Sequence, residues 1–221
     1  MSPRPGPSSA ALSGLYVILD VQAAQPRSMV DVMKQALAGG ARLFQYRDKH
    51  ASMREAYERA APLQALARDH GGIFIVNDRC DLALAVDANG VHLGQDDLPL
   101  AMARAILGPT RLIGISTHRP EQVIAATEGR ADYLGYGPIF KPGSKSDHEP
   151  LVGVEGLRAI RTLTSLPVFA IGGITLEQVP AVIGAGADGI AVISALIGSP
   201  NVTETTKRFI ARCSGSTTRV P

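Results

Sequence analysis

Short apolar runs alternate along the chain with longer stretches that are rich in alanine and leucine. The runs are apolar at nearly every position rather than at alternate ones, which is typical of parallel strands covered on both faces. Eight strands are predicted, at Leu15–Leu19, Arg42–Tyr46, Ile73–Val76, Gly90–Leu93, Arg111–Ile115, Tyr133–Gly137, Val168–Ile171 and Gly189–Ile193. Helices are predicted between them, at Arg54–Arg68, Pro120–Glu128, Leu157–Thr164 and Leu176–Ala185. Thr175 and Gln178 are placed to form a capping box at the start of the last of these helices.

This alternation predicts an α/β protein built as a single (β/α)8 TIM barrel. The alternative is a doubly wound open sheet, which usually carries a glycine-rich loop after its first strand. Here the first strand is followed by Asp20-Val21-Gln22-Ala23, which contains no glycine. We therefore expect a flexible leader at residues 1–13, a barrel domain at 14–212 and a flexible tail at 213–221.

The composition and net charge of the chain argue against some classes of binding partner. Hydrophobic residues make up 45% of the chain and the formal net charge is only +2, so nucleic acid and anionic membrane surfaces are poor candidates. No apolar run reaches the roughly 18 residues of a membrane span. Cys80 and Cys213 lie far apart outside any metal-binding motif, so we expect reduced thiols and a cytoplasmic protein. A homo-oligomer is compatible with the sequence.

Polar residues cluster where the predicted strands end, which is where barrel enzymes carry their chemistry. After the second strand, Gln45, Arg47 and Lys49 alternate along the chain and should point together. Two cations and an amide at this spacing suit a polyphosphate. The alternative is a solvated strand end at which Asp48 forms a local ion pair.

The next two strand ends carry carboxylates. Asn77 and Asp78 follow the third strand, and Asp96 and Asp97 follow the fourth. Asp78 with Asp96 or Asp97 predicts a Mg²⁺ site, because this ion is commonly held by one or two carboxylates together with substrate phosphates. The alternative is that these residues only cap helices. His92, inside an apolar strand, is expected to be a core or supporting residue rather than a catalytic base.

The later strand ends predict a phosphate site and a lid. Ser116 follows the fifth strand and could contact a substrate, or it could form a turn. The loop at 141–150 is polar and rich in glycine and proline, which favours a mobile lid carrying Lys141 or Lys145. Gly172-Gly173 and Ser194 lie where barrels of this kind bind phosphate through backbone N–H groups. The predicted mouth thus holds two anion regions, one cationic and metal-binding and the other a backbone cradle.

Several long motifs in order resemble the thiamine-phosphate synthase family over about residues 14–210. They are QYRDK at 45–49, IVNDRCDLALAVDANGVHLGQDDLP at 75–99, GIST at 114–117, ADYLGYGPIF at 131–140, FAIGGIT at 169–175 and GADGIAVISAL at 186–196. The resemblance implies a barrel that joins 4-amino-2-methyl-5-hydroxymethylpyrimidine diphosphate to a thiazole phosphate, releasing pyrophosphate and giving thiamine phosphate. It implies Mg²⁺ as the cofactor and small molecules as the partners.

The resemblance also assigns roles to residues. It implies that Gln45, Arg47, Lys49 and Asn77 bind the pyrimidine diphosphate, and Tyr46 and Asp48 within the same motif are also expected to bind substrate. It implies that Asp78 and Asp97 ligate Mg²⁺, that Ser116 contacts the pyrimidine and that Lys145 contacts the diphosphate. The thiazole phosphate would be held by Ser144, Gly173, Ile193 and Ser194. Arg47, Lys49, Ser116 and Lys145 would act in catalysis.

One segment departs from the family pattern. The family usually has a Pro-Thr-x-Thr-Lys loop, whereas this chain has Lys141-Pro142-Gly143-Ser144-Lys145. Lys145 and the hydroxyl of Ser144 match the family pattern, whereas Pro142 replaces the first threonine. The sequence therefore does not decide whether this loop makes the family's contacts with the thiazole phosphate. Three alternatives follow: a thiazole tautomerase-like paralogue, a sugar-phosphate isomerase or epimerase, and a non-catalytic phosphometabolite-binding barrel. The first should lack Asn77, Asp78 and Asp97, and the second should have an acid/base pair at strand ends in place of the QYRDK and NDR clusters.

Overall fold

A computed structural model of the protein describes residues 12–141 and 150–215. Eight parallel strands pair in chain order, and β8 pairs with β1, which closes the barrel. The strands are β1 Gly14–Asp20, β2 Leu43–Arg47, β3 Ile73–Asn77, β4 Gly90–Leu93, β5 Leu112–Thr117, β6 Tyr133–Tyr136, β7 Val168–Ile171 and β8 Gly189–Val192. The predicted (β/α)8 barrel is therefore confirmed.

Helices surround the barrel. Their bounds are α1 Val21–Ala24, α2 Met29–Ala38, α3 Met53–Asp69, α4 Cys80–Ala85, α5 Leu100–Leu107, α6 Pro120–Glu128, α7 Gly153–Ile160, α8 Val179–Gly184, α9 Ser194–Ile197 and α10 Val202–Ser214, with a 3₁₀ turn at Arg161–Leu163. Within the described ranges, none of these helices has the length and apolar character needed to cross a membrane.

Two predicted helix boundaries were wrong. The helix predicted at Leu157–Thr164 begins at Gly153 and ends at Ile160, because the apolar pattern located only its buried half. The helix predicted from Leu176 begins at Val179, which places Pro180 in its first turn, where a proline needs no hydrogen-bond donor. Only one half of the predicted capping box is present, with Gln178 Oε1 accepting the Thr175 N–H at 2.8 Å.

The barrel extends slightly further at both ends than the predicted domain. Leu12, placed by prediction in the leader, is buried with the interior residues, because a large apolar side chain there closes the amino-terminal end of the barrel. Cys213 and Ser214, placed by prediction in the tail, continue α10. Cys80 and Cys213 are free thiols.

Aromatic rings fill the barrel interior below the strand ends. Tyr16, Tyr133 and Phe169 pack edge to face, with ring centroids 5.2 to 5.9 Å apart. Glycines provide the room for these rings. A Cβ on Gly114 would lie 2.1 Å from the Tyr133 ring, and one on Gly189 would lie 2.5 Å from the Phe169 ring. This dense layer forms the floor of the cavity above it.

Candidate active site

Besides a cavity of about 230 Å³ that is lined by Gly94, Gln95 and Asp97, two cavities among the described residues open at the carboxyl ends of the strands. The central one has a volume of about 150 Å³, and its polar lining is Tyr16, Gln45, Arg47, Asn77, His92 and Ser116. The second has a volume of about 420 Å³ and lies over the ends of β7 and β8. Ile171, Ala191 and Ile193 line both cavities, so the two adjoin.

Gln45 and Arg47 point into the barrel from β2, because alternate residues of a strand share a face. Arg47 forms an ion pair with Asp20, which ends β1 and is 6% exposed. Asp20 Oδ1 also accepts the N–H groups of Gln22 and Ala23 at 3.0 Å, which caps α1. The helix cap holds the carboxylate in place, and the carboxylate in turn holds the Arg47 guanidinium beside the cavity.

Tyr46 and Asp48 lie on the opposite face of β2. Tyr46 is buried among the residues between barrel and helices, and its hydroxyl donates to Asp48 at 3.3 Å. Asp48 also accepts from Arg59 at 2.7 Å. Burial by itself would raise the pKa of Asp48, but the hydrogen bonds from Arg59 and from two backbone N–H groups lower it overall. The local ion pair considered from the sequence is therefore present, and these two side chains are separate from the cavity.

Asp78 and Asp97 come together at the ends of β3 and β4. Their carboxyl groups lie close enough for Asp97 to influence the Asp78 pKa. Burial, followed by the neighbouring Asp97, raises the pKa of Asp78 to about 6, although Lys49 and Arg47 act in the opposite direction. Asp97 is held by the Gly94 N–H, which donates to its Oδ2 at 2.6 Å. Asp96, the other candidate from the sequence, is exposed.

The backbone at Asp78 is unusual and explains how its side chain reaches Asp97. Asp78 has a φ of 63°, in the left-handed region that aspartate and asparagine tolerate better than most residues. Its N–H donates to the His92 backbone carbonyl at 2.9 Å. This turn directs the carboxyl toward Asp97, and Lys49 is near enough to influence the Asp78 pKa.

Two carboxylates of this kind fit a divalent cation. Their mutual repulsion is the situation that a bound cation relieves, and Mg²⁺ usually takes its remaining ligands from substrate phosphates and water. Among residues 12–141 and 150–215, no group of three or more histidine, cysteine, aspartate or glutamate side chains could hold a metal. The donor set therefore suits a cation that is completed by a phosphorylated ligand.

A chain of buried hydrogen bonds, here called the interior chain, forms the floor of the central cavity. Gln45 Nε2 donates to the Tyr16 hydroxyl at 2.8 Å, and the Tyr16 and Tyr133 hydroxyls are 2.9 Å apart. His92 Nδ1 lies 3.1 Å from the Tyr133 hydroxyl, and His92 Nε2 lies 2.9 Å from Ser116 Oγ. Burial lowers the pKa of His92 to about 4, so its ring is neutral near pH 7.

The second cavity is a backbone cradle. It is lined by Gly172, Gly173, Ile193 and Ser194, and by Lys141 at its edge. Gly172 and Gly173 have φ values of 102° and 61°, and a Cβ on Gly173 would lie 2.6 Å from the Lys141 carbonyl oxygen. Only glycine lets the backbone follow this path. The cradle contains the start of α9 at Ser194, where the first N–H groups have no acceptor inside the helix.

The structure leaves part of the predicted site undescribed. Ser144 and Lys145, and with them most of the predicted lid at 141–150, lie outside the described residues. Lys141, at the beginning of that segment, lines the cradle.

Sequence reasoning missed Asp20, Tyr16 and Tyr133. Asp20 sits at a strand end, as the recognised site residues do, and this position was an available signal. The two tyrosines belong to apolar runs that also read as ordinary core, so nothing in the sequence separated them from their neighbours.

A family model, two relatives and one solved structure identify the family of this chain. The family model described as thiamine monophosphate synthase matches residues 15–196. A thiamine-phosphate synthase of Chloroflexus aurantiacus is 47% identical over 197 residues, covering 89% of this chain and 91% of the relative. One from Methanospirillum hungatei is 46% identical over 196 residues, covering 89% and 95%. A solved thiamine phosphate pyrophosphorylase from Pyrococcus furiosus superposes with a TM-score of 0.84 at 40% identity, covering 92% of this chain and 96% of that one.

Proposed function

The chain belongs to the thiamine monophosphate synthase family, and we propose how its residues carry out the reaction of that family. It is a transferase that joins 4-amino-2-methyl-5-hydroxymethylpyrimidine diphosphate to a thiazole phosphate, giving thiamine phosphate and pyrophosphate. The assignment of residues to the two substrates is our proposal.

The observation that carries this assignment is the pairing of two different anion sites across a shared wall. Arg47 lines the central cavity, and both Arg47 and Lys49 lie close enough to the Asp78–Asp97 pair to influence the Asp78 pKa, which suits a metal-bound diphosphate. The cradle offers chiefly backbone N–H groups, which suits a monophosphate. Since the cavities adjoin, two substrates bound in them would meet at their boundary.

We assign the pyrimidine diphosphate to the central cavity. Gln45, Asn77 and Ser116 face the ring, and Arg47 and Lys49 face the diphosphate. Asp78 and Asp97 would hold Mg²⁺, which when bound neutralises charge on the diphosphate oxygens. Tyr46 and Asp48 are left out of this assignment, because their side chains face away from the cavity.

We assign the thiazole phosphate to the cradle, with its phosphate at Gly173, Ile193 and Ser194. The glycine backbone there can approach the phosphate closely. Ser144 and Lys145 are proposed, from the resemblance alone, to complete the contacts.

The reaction forms one C–N bond and breaks one C–O bond. The CH₂–O bond of the pyrimidine diphosphate breaks first, and pyrophosphate leaves with the bonding electrons. The amino-substituted ring stabilises the resulting cation, while Arg47 and Lys49 stabilise the charge that develops on pyrophosphate. The thiazole nitrogen then donates its lone pair to the CH₂ carbon. Much of the rate would come from holding both substrates in position, and no protein nucleophile is needed.

A coupling assay tests this proposal. Protein, both substrates and Mg²⁺ should give thiamine phosphate and pyrophosphate in equal amounts, and a chelator should stop the reaction. Asp78→Asn, which tolerates the left-handed backbone, should abolish the metal-dependent turnover while the fold is retained. Asp96→Asn, a change at an exposed carboxylate next to Asp97, should leave turnover unchanged. Full turnover by Asp78→Asn would remove that residue from the metal site.

The tautomerase-like alternative has no comparable support. Isomerising one thiazole phosphate would require the cradle but not the Asp78–Asp97 pair beside Arg47 and Lys49. Purified protein that isomerised a thiazole phosphate without forming thiamine phosphate would favour this alternative.

A further inference from the structure

The interior chain links two residues that we assign to the pyrimidine, Gln45 and Ser116. Its members come from β2, β1, β6, β4 and β5, so it crosses the barrel beneath the central cavity. Tyr16, Tyr133 and His92, the three middle members, have no assigned role in the reaction. All three are buried, and Tyr16 and His92 also line the central cavity, so the interior chain supplies their hydrogen-bond partners among the described residues.

The hydrogen bonds of the interior chain have a single consistent direction. Because the Tyr16 oxygen accepts from Gln45, the Tyr16 proton must go to Tyr133. The opposite donation, from Tyr133 to Tyr16, would leave the buried Tyr16 proton with no acceptor among the described residues, which is unfavourable. Tyr133 then donates to His92 Nδ1, so the ring carries its proton on Nε2 and donates it to Ser116 Oγ.

This direction determines what the two ends present to a ligand. The Ser116 oxygen accepts from His92, so its own proton is available to the cavity as a donor. The Gln45 Oε1 atom has no donor within the described residues and is available as an acceptor. Turning the Gln45 amide over would require every hydrogen bond in the chain to reverse, so the two ends are coupled.

We propose that Tyr16, Tyr133 and His92 are positioning residues, which fix Gln45 as an acceptor and Ser116 as a donor and thereby select a 4-aminopyrimidine over its 4-oxo counterpart. A 4-aminopyrimidine offers amino N–H donors and unprotonated ring nitrogens. A 4-oxopyrimidine has a carbonyl in place of the amino group and an N–H in place of one ring nitrogen, so its polarity is inverted. This inference rests on the proposed placement of the pyrimidine in the central cavity.

The direction of the chain can be tested without any substrate. Nitrogen-15 NMR of histidine-labelled protein near neutral pH should show His92 as a neutral ring protonated on Nε2. Tyr133→Phe removes the donor to Nδ1 and should change the His92 signals. A His92 ring protonated on Nδ1 in the unmodified protein would overturn the proposed direction.

Selection is tested by the binding of two probes, 4-amino-2-methyl-5-hydroxymethylpyrimidine and its 4-oxo analogue. The unmodified protein should prefer the amino compound, and Tyr133→Phe should reduce that preference by about tenfold, the effect of one lost buried hydrogen-bond partner. Tyr136→Phe is the matched control. It removes a buried hydroxyl on the same strand, outside the interior chain, and should leave the preference unchanged.

The outcomes separate this inference from the proposed function. Equal loss of both probes in Tyr133→Phe, or an unchanged preference, would overturn selection by the chain. Inorganic pyrophosphate with Mg²⁺ should bind equally well to the unmodified protein and to Tyr133→Phe, which excludes a general loss of fold. If the protein failed to make thiamine phosphate, the proposed function would be wrong. The His92 tautomer would still show the direction of the hydrogen bonds in the interior chain.

Discussion

Replacing Asp97 by asparagine should stabilise the metal-free protein while removing its response to Mg²⁺. The change deletes one charge from the carboxylate pair and keeps an acceptor oxygen for the Gly94 N–H. Burial and then Asp97 raise the pKa of Asp78 from 3.8 to about 6. A rise of this size corresponds to about 3 kcal/mol. Because Asp78 is only half-buried, solvent screening reduces this destabilisation of the folded state to about 1–2 kcal/mol. Burial, the largest cause of the pKa rise, is still present in Asp97→Asn. The free energy of unfolding of the variant should therefore be higher by about 1 kcal/mol.

The sign of the pH dependence follows from proton linkage. Because the pKa of Asp78 is higher in the folded protein than in the unfolded chain, the folded state binds more protons between about pH 4 and pH 6. The contribution of this group to stability is fully present below about pH 4 and is lost as pH rises through about 6. The advantage of Asp97→Asn should therefore be greatest near neutral pH and should shrink in acid.

Thermal unfolding in a chelator, across this pH range, measures the effect. Near neutral pH, Asp97→Asn should raise Tm by about 2–4 °C relative to the unmodified protein. Added Mg²⁺ should raise the Tm of the unmodified protein but not that of the variant, while Asp96→Asn should behave like the unmodified protein in both respects. A variant that is no more stable near neutral pH, or one that Mg²⁺ still stabilises, would refute the reasoning.

Three further substitutions test other parts of the site. Asp20→Asn keeps an oxygen to cap α1 but removes the ion pair with Arg47, so KM for the pyrimidine diphosphate should rise about tenfold, as steady-state kinetics would show. Gly173→Ala places a Cβ 2.6 Å from a carbonyl oxygen, so it should raise KM for the thiazole phosphate; Gly71→Ala, with a similar φ of 65° and open space around it, is the control for backbone strain alone. Asp48→Ala should lower the free energy of unfolding by about 1–2 kcal/mol in denaturant titration and leave both KM values unchanged, and a selective rise in KM for the diphosphate would return Asp48 to the site.

The fold was predictable because each strand is covered on both faces and so appears as an unbroken apolar run. The ends of the helices were harder to predict than the strands. Pro180 determines where α8 begins, but the favourable capping pattern at Thr175 pointed three residues earlier. Local capping signals therefore gave way to the requirement that a proline lie in the first turn.

The site was predictable only where its residues stand at strand ends. Gln45 and Arg47 line one cavity, and Asp78 reaches Asp97, because parallel strands end at the same edge of the barrel. Alternation along β2 already placed Tyr46 and Asp48 on the face opposite Gln45 and Arg47. Both residues were nevertheless included among the predicted binding residues, and the structure places both side chains on the outer face.

The interior chain could not be predicted in this way. Tyr16 and Tyr133 are 117 positions apart, and their contact depends on how strands on opposite sides of the barrel are staggered. His92 was expected to be a core or supporting residue, and the structure places it between Tyr133 and Ser116. The apolar pattern of β4 does not indicate which residues of other strands the His92 side chain contacts.

The central claim is that the mouth of the barrel is divided into a metal-assisted diphosphate half and a backbone-cradled monophosphate half. Steady-state kinetics with each substrate varied in turn, for Asp97→Asn and Gly173→Ala, tests it most directly. Asp97→Asn should impair the Mg²⁺-dependent use of the pyrimidine diphosphate with little change in KM for the thiazole phosphate, and Gly173→Ala should do the reverse. If both variants raised both KM values equally, the division of the mouth would be contradicted.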